Sequence, residues 1–302
     1  LLIAITGSSG MIGSALVRSL VADGHTVRRL VRRAPRAGDE VAWNPERNEI
    51  DAKGLSGVDA VVNLAGENIA QRWTRESMRR IRESRVQATS LVAATMATLS
   101  PRPRALVSGS AVGYYGERGD EVLDEASSAG NDFLASVCKD WEAATAPARD
   151  AGIRVAISRT GIVLDRRGGA LAKMLTPFRL GVGGHLGNGR QWMSWIAIAD
   201  MVRALRFLIE HDGAAGPFDL TAPNPVDNAE FTRVLASVLH RPAIFPVPQL
   251  ALELLYGPMA KGAALASQRA LPRQLLASGF DFVLPNLREA LESVVRPRRA
   301  AA

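Results

Sequence analysis

Residues 1–13 read LLIAITGSSGMIG, an apolar run that breaks into Thr6-Gly7-Ser8-Ser9-Gly10-Met11-Ile12-Gly13 and continues as an amphipathic segment over 10–21. A β-strand that ends in glycines and opens a helix leaves backbone N–H groups free at the positive end of the helix dipole. That arrangement suits the pyrophosphate of a dinucleotide. Gly7 is expected to make the tight turn, Gly10 to let the backbone approach the phosphates, and Gly13 to let helix and strand pack closely, with Ser9, Met11 and Ile12 supplying the intervening N–H groups. A strand–helix turn without a ligand is the bland alternative.

The chain around this stretch has 302 residues, 47% hydrophobic and 22% charged, an ordinary globular composition. No apolar run reaches the roughly 20 residues of a membrane span. The start reads as a core strand rather than a signal peptide. A single cysteine, Cys138, excludes an internal disulfide and points to a reducing cytoplasm. The formal charge of +7 comes mostly from scattered arginines without a long basic run, and aromatic residues make up 5%. A nucleic-acid or membrane partner is therefore not expected, and an anionic small molecule explains part of the excess. His25, His185, His211 and His240 stand apart, without the spacing of a metal site.

Apolar runs at 1–5, 26–31, 60–64, 105–108 and 154–158 alternate with helical patterns at 11–22, 75–99 and 132–149, the last loosening near Pro147. This rhythm predicts an α/β fold: a Rossmann-type doubly wound parallel sheet with helices on both faces. After about Asp165 a Gly-rich stretch, a helix near 199–211 and a strand near 218–220 suggest a smaller C-terminal α+β lobe. The expected division is a dinucleotide-binding domain over 1–165, completed by elements around 190–220, and a substrate lobe over 166–302 whose last segment covers about 250–298. The tail from Arg296 reads as disordered.

The second strand ends in Arg32-Arg33, and no Asp or Glu lies between Asp23 and Asp39. A carboxylate at this place would bind the ribose 2′-OH of NAD, whereas arginine accommodates the 2′-phosphate of NADP, so NADP is the expected cofactor.

Together with these features, Asn63-Leu64-Ala65-Gly66-Glu67-Asn68-Ile69, Trp43-Asn44-Pro45, Gly161-Ile162-Val163-Leu164, the run from Gly187 to Ile196, Thr221-Ala222-Pro223-Asn224-Pro225 and Gln268-Arg269-Ala270-Leu271-Pro272 give the chain its family likeness. It resembles the atypical extended short-chain dehydrogenase/reductases called epimerase family proteins (YfcH-like), which carry a short C-terminal domain of their own. The resemblance implies cofactor contacts at Arg32, Leu64, Ala65 and Val163, and on the following helix at Arg85, where ordinary extended members have asparagine; Gly66 and Ser108 are further expected contacts. Arg80 is a second candidate there, with plain solvation as its alternative.

Relatives with full machinery use Ser, Tyr and Lys, the last two four apart on one helix face. Ser110, in Val107-Ser108-Gly109-Ser110-Ala111, matches the serine. Lys139 is the only lysine on the helix over 132–149, and Ala135 stands four residues before it. Lys139 is then expected to hold the ribose, and Tyr114 or Tyr115 to substitute as acid, unless one ring is core and the other covers the cleft. Glu142 or Asp140 is a further substitute, with surface solvation the plainer account. Cys138 reads as a buried structural thiol, and Trp192 and Trp195 as cleft or core.

The expected function is that of an NADP-dependent oxidoreductase or epimerase-like enzyme acting on a small polar molecule, nucleotide-linked ones included. The alternative, which the resemblance implies, is a catalytically silent NADP(H) sensor or scaffold linked to cell division. A homodimer is one option for the oligomeric state.

Overall fold

The computed structural model describes residues 1–295; the tail from Arg296, expected to be disordered, lies outside them. In chain order the strands are β1 Leu2–Thr6, β2 Thr26–Val31, β3 Glu40–Asn44, β4 Glu49–Ile50, β5 Ala60–Asn63, β6 Ala105–Ala111, β7 Val122–Leu123, β8 Arg154–Thr160, β9 Ile162–Leu164, β10 Trp192–Met193, β11 Trp195–Ala197, β12 Gly216–Leu220, β13 Val226–Asp227 and β14 Arg269–Ala270. The α-helices are α1 Met11–Ala22, α2 Arg75–Thr98, α3 Phe133–Ala143, α4 Ala146–Asp150, α5 Gly169–Arg179, α6 Ile198–Glu210, α7 Asn228–Leu239, α8 Gln249–Tyr256, α9 Arg273–Ala277 and α10 Leu287–Val295.

Eight strands form one sheet in the order β12-β8-β6-β5-β1-β2-β3-β4, parallel throughout except for β4. The chain winds outward from β1 to β3, then returns to β5 on the other side of β1. This reversal opens a crevice beyond the carboxyl ends of β1 and β5, where ligands of such sheets bind. Alternation along the strands splits the core. Ile3, Ile5, Val62 and Val107 face Leu16 and Leu20 of α1 and Met201, Leu205 and Leu208 of α6. Ala4, Val61 and Leu106 face Leu91, Val92 and Met96 of α2. Burial on both faces explains why these strands read as continuous apolar runs.

Two departures from the sequence reading bear on the site. The helix expected over 132–149 is two helices. Asp132 caps α3 by accepting the Ala135 N–H, α3 ends at Ala143, and Pro147 sits in the first turn of α4. Proline lacks the N–H that a continuing helix needs but suits a helix start. Second, β3 and β4 had no apolar run to announce them, because only Val41 and Trp43 of β3 are buried.

A third cluster joins α5, α7 and α10 around Phe178, Trp195, Phe231 and Leu291. Trp195 is therefore core, its indole N–H donating to the Asn224 carbonyl. Trp192 is partly buried and donates to Asp120, with the Arg269 guanidinium over its ring. The C-terminal segment returns to the sheet side: β14 pairs with β7, and the buried Asp200 of α6 accepts the N–H groups of Val283 and Leu284. No helix among the described residues is long and apolar enough to cross a membrane.

Candidate functional site

The glycine loop has the shape its sequence demands. Gly7 has φ +64°, and a Cβ there would stand 2.8 Å from the Leu64 carbonyl oxygen. A Cβ on Gly13 would stand 2.2 Å from the Gly7 oxygen, so α1 approaches the loop too closely for any side chain. Gly10 has an ordinary φ of −70° and caps α1; a Cβ there meets only the Gly7 oxygen, at 3.2 Å. No side chain caps α1 and its first turn carries no carboxylate, so its positive end is open to an anion. Ser9 and Gly10 are exposed, and Met11 and Ile12 are half-buried.

The facing turn is fixed by Thr6 and Asn63, which the sequence reading quoted but gave no role. The buried Thr6 hydroxyl donates to Asn63 Oδ1 at 2.6 Å and accepts the N–H groups of Leu64 and Ala65 at 3.0 and 3.1 Å. Asn63 in turn donates to Thr89 Oγ1 at 2.7 Å. Leu64, Met11, Ile12 and the buried Val163 of β9 pack in one cluster beside the loop. Polar residues at strand ends are the available signal for such a tie, though the sequence does not pair them.

Of the arginine pair, Arg32 is exposed with no ion pair among the described residues, beside a cavity of about 340 Å³ lined also by Trp43 and Asn44. Arg33 is instead engaged by Glu40 of β3 at 2.6 Å, and this fork holds the Glu40 carboxyl down at about 2. The charge expected at the strand tip is thus half neutralised by a carboxylate brought in by the neighbouring strand. Arg85 is half-buried over the Trp141 ring, donating to the Ile81 carbonyl, and its guanidinium carbon would lie 3.1 Å from a Cβ on Gly66. Burial lowers its pKa. Arg80 is an exposed partner of Glu76. Ser108 is fully buried and its hydroxyl, among the described residues, bonds only its neighbour's carbonyl, so it presents no surface to a ligand.

The catalytic expectations need larger correction. Lys139 lies on the exposed side of α3, away from Ser110. Turned toward Ser110, one helical turn apart, are Cys138 and Glu142. The residues facing the serine are thus displaced by one position from the frame that put Lys139 there, a rotation of about 100° around the helix. Ser110 Oγ donates to Glu142 Oε1 at 2.7 Å. Arg159, opposite Ser110 in the β6–β8 register, grips both oxygens of Glu142 at 2.9 and 3.0 Å. Burial works against the Arg159 charge, but the bonds and charge of Glu142 outweigh it and raise its pKa. Burial and the neighbouring Glu142 push the Cys138 thiol up to about 12, and the thiol donates to the Ala111 carbonyl. Asp140 pairs with Arg82 on the outer side.

Tyr115 is not available as an acid. It is fully buried, with its hydroxyl 2.9 Å from both oxygens of the buried Asp219, and burial followed by the Asp219 charge raises its pKa. Tyr114 is half-buried with the Arg159 guanidinium carbon 3.5 Å from its ring centroid, so the cation meets its π face. One ring is core and the other borders the site.

Comparison with known proteins agrees with this architecture. The NAD dependent epimerase/dehydratase family matches residues 3–220, and a domain of unknown function (DUF1731) matches residues 247–294. An epimerase family protein of Mycobacterium bovis is 47% identical over 290 residues, 96% of each chain. The Bacillus subtilis epimerase family protein YfhF is 35% identical over 98% of this chain and 99% of its own. The crystal structure of the human epimerase family protein SDR39U1 with NADPH superposes with a TM-score of 0.91 at 34% identity, covering 98% of this chain and 100% of that one. In sequence and in fold, the chain belongs to the NAD dependent epimerase/dehydratase family.

Proposed function

We propose that the chain is an NADP(H)-dependent oxidoreductase or epimerase-type enzyme acting on a small polar substrate, nucleotide-linked ones included. The observation that carries this reading is the glycine cradle: Gly7 and Gly13 have no room for a Cβ, and the uncapped α1 begins at the carboxyl edge of the sheet, where β6, two strands from β1, carries Ser110 near its end. The NADPH in the human relative supports the choice of cofactor. When bound, the nicotinamide would supply hydride chemistry. Residues 7–13 would hold the pyrophosphate, Arg32 the 2′-phosphate, and Leu64, Ala65, Gly66, Val163 and Arg85 the remaining walls. Ser110 would meet the substrate oxygen. No observation in the fold or the relatives speaks for the sensor alternative.

The test is isotope exchange from labelled NADPH into a panel of carbonyl compounds, with exchange expected. Tight NADPH binding without exchange into any of them would overturn the enzymatic reading. For the cofactor, loss of a charge-assisted bond costs about 1.5–3 kcal/mol. Arg32→Ala should therefore weaken NADPH binding more than tenfold and leave NADH unchanged. Equal affinity of the unmutated chain for both cofactors would overturn the NADP preference.

A further inference from the structure

The proton chemistry of the site can be taken further, on the basis of the oxidoreductase reading above. A serine hydroxyl has one proton to donate and two lone pairs that accept. Ser110 directs its one proton to Glu142 Oε1 at 2.7 Å, and that carboxylate is fixed by the Arg159 fork. A serine so engaged can only accept. With Glu142 ionised it is arranged for a substrate hydroxyl; a carbonyl oxygen, met in the reverse direction, needs the proton that Glu142 then carries.

We infer that Ser110 and Glu142 form a proton-accepting pair for a substrate hydroxyl, with Glu142 as the final base. The balance is simple. The substrate O–H bond breaks as a new Oγ–H bond forms on Ser110, while the original Ser110 proton moves to Glu142 Oε1. The hydroxyl proton thus ends as a neutral carboxyl group on Glu142. The electron pair of the adjacent C–H bond leaves as hydride, for which the oxidised nicotinamide is the co-reactant.

The groups around Glu142 leave it as the candidate. From β8, Arg159 binds it; from its own helix, Cys138 lies one turn back; from β6 and the turn after it come Ser110 and Tyr114; from α2, Arg85 approaches Cys138. Cys138 keeps its proton at neutral pH because burial disfavours the thiolate, so it accepts none. Tyr115 and Asp219 are turned to one another behind Arg159. The substrate class follows: a secondary alcohol or sugar hydroxyl, oxidised in the direction that starts at Ser110.

The test compares the unmutated chain with Glu142→Gln, Glu142→Asp, Ser110→Ala and Tyr114→Phe, using NADP with a panel of UDP-sugars and simple secondary alcohols. General base catalysis is worth about 10²–10⁴-fold. Glu142→Gln and Ser110→Ala should each lose turnover by that factor while NADPH affinity stays within about twofold. Glu142→Asp should recover part of the loss and retain the acidic limb of the pH profile that Glu142→Gln abolishes. A second readout needs no turnover. The single cysteine makes thiolate ultraviolet absorbance assignable, and Glu142→Gln should bring the Cys138 titration down from about 12. An unmoved thiol titration would mean that no charge resides at Glu142, and the pair would be rejected. Should Glu142→Gln fail to fold, Ser110→Ala leaves the Glu142–Arg159 pair intact and decides alone. Full turnover in Glu142→Gln or Ser110→Ala, or its loss only in Tyr114→Phe, overturns the pair and leaves the oxidoreductase reading standing. A chain that neither oxidises a hydroxyl nor exchanges label from NADPH overturns both.

Discussion

At Asp219 a carboxyl group with no surface exposure shares its hydrogen bond with Tyr115, and Glu125 accepts the Asp219 backbone N–H nearby. Burial, reinforced by the Glu125 charge, raises its pKa well above the ordinary value of 3.8. A carboxyl whose folded pKa is raised gives stability that is complete below its unfolded pKa and is lost as pH rises through the folded value. The unmutated chain should thus lose stability upward from about pH 4, with a slope of at most about 1.4 kcal/mol per pH unit from this group. Asp219→Asn keeps an acceptor for Tyr115 but has no proton to lose, so its stability curve should be flatter over that range. Parallel denaturation curves at each pH would show that Asp219 does not carry the dependence. None of this was legible in the sequence, where Asp219 stands in an apolar strand, and burial of its partner Tyr115 is set by contacts about a hundred residues away.

Within the β1–α1 unit, two glycines three residues apart do different work, and substitution separates them. Gly13 has no space for a Cβ, which would lie 2.2 Å from a backbone oxygen, so Gly13→Ala must push α1 away from β1 and lower the melting temperature. Gly10 has the φ of an ordinary residue and one marginal contact at 3.2 Å. Gly10→Val should therefore fold, with native far-ultraviolet circular dichroism, and lose NADPH binding because its side chain occupies the pyrophosphate path. A folded Gly10→Val that binds NADPH at normal affinity would refute the phosphate-loop assignment. This unit was legible because its signals are local: an apolar strand, a glycine spacing and a helix period within 22 residues. Helix α3 was less so. Its period placed a helix correctly but did not say which side faces Ser110, and a one-residue error in that frame exchanges Lys139 for Cys138. The orientation is set by Trp141 against Gly109, where a Cβ would lie 2.7 Å from the indole. β3 was missed because a strand at the sheet's margin buries too few side chains to leave an apolar run.

Across the whole molecule, the C-terminal segment links the second lobe to the sheet rather than forming a separate body. Asp200, at the start of α6, is the joint. Its carboxylate is buried and accepts the N–H groups of Val283 and Leu284 at 2.9 and 2.8 Å. From there the chain enters α10, whose Leu287, Leu291 and Val294 complete the cluster around Phe231. Asp200→Ala would leave two backbone donors without an acceptor, at about 1–3 kcal/mol each if no water reaches them. Because the loss falls at the joint, it should act first on the segment rather than on the sheet. The expected result is faster amide exchange at Val283, Leu284 and through α10, while β1, β5 and β6 keep their protection at temperatures below global unfolding. Asp200→Asn, which keeps one carbonyl acceptor, should fall between. Uniform loss of protection across sheet and segment alike would mean that the two unfold as one unit, and that Asp200 stabilises the molecule as a whole rather than the segment from Val283 to Val295.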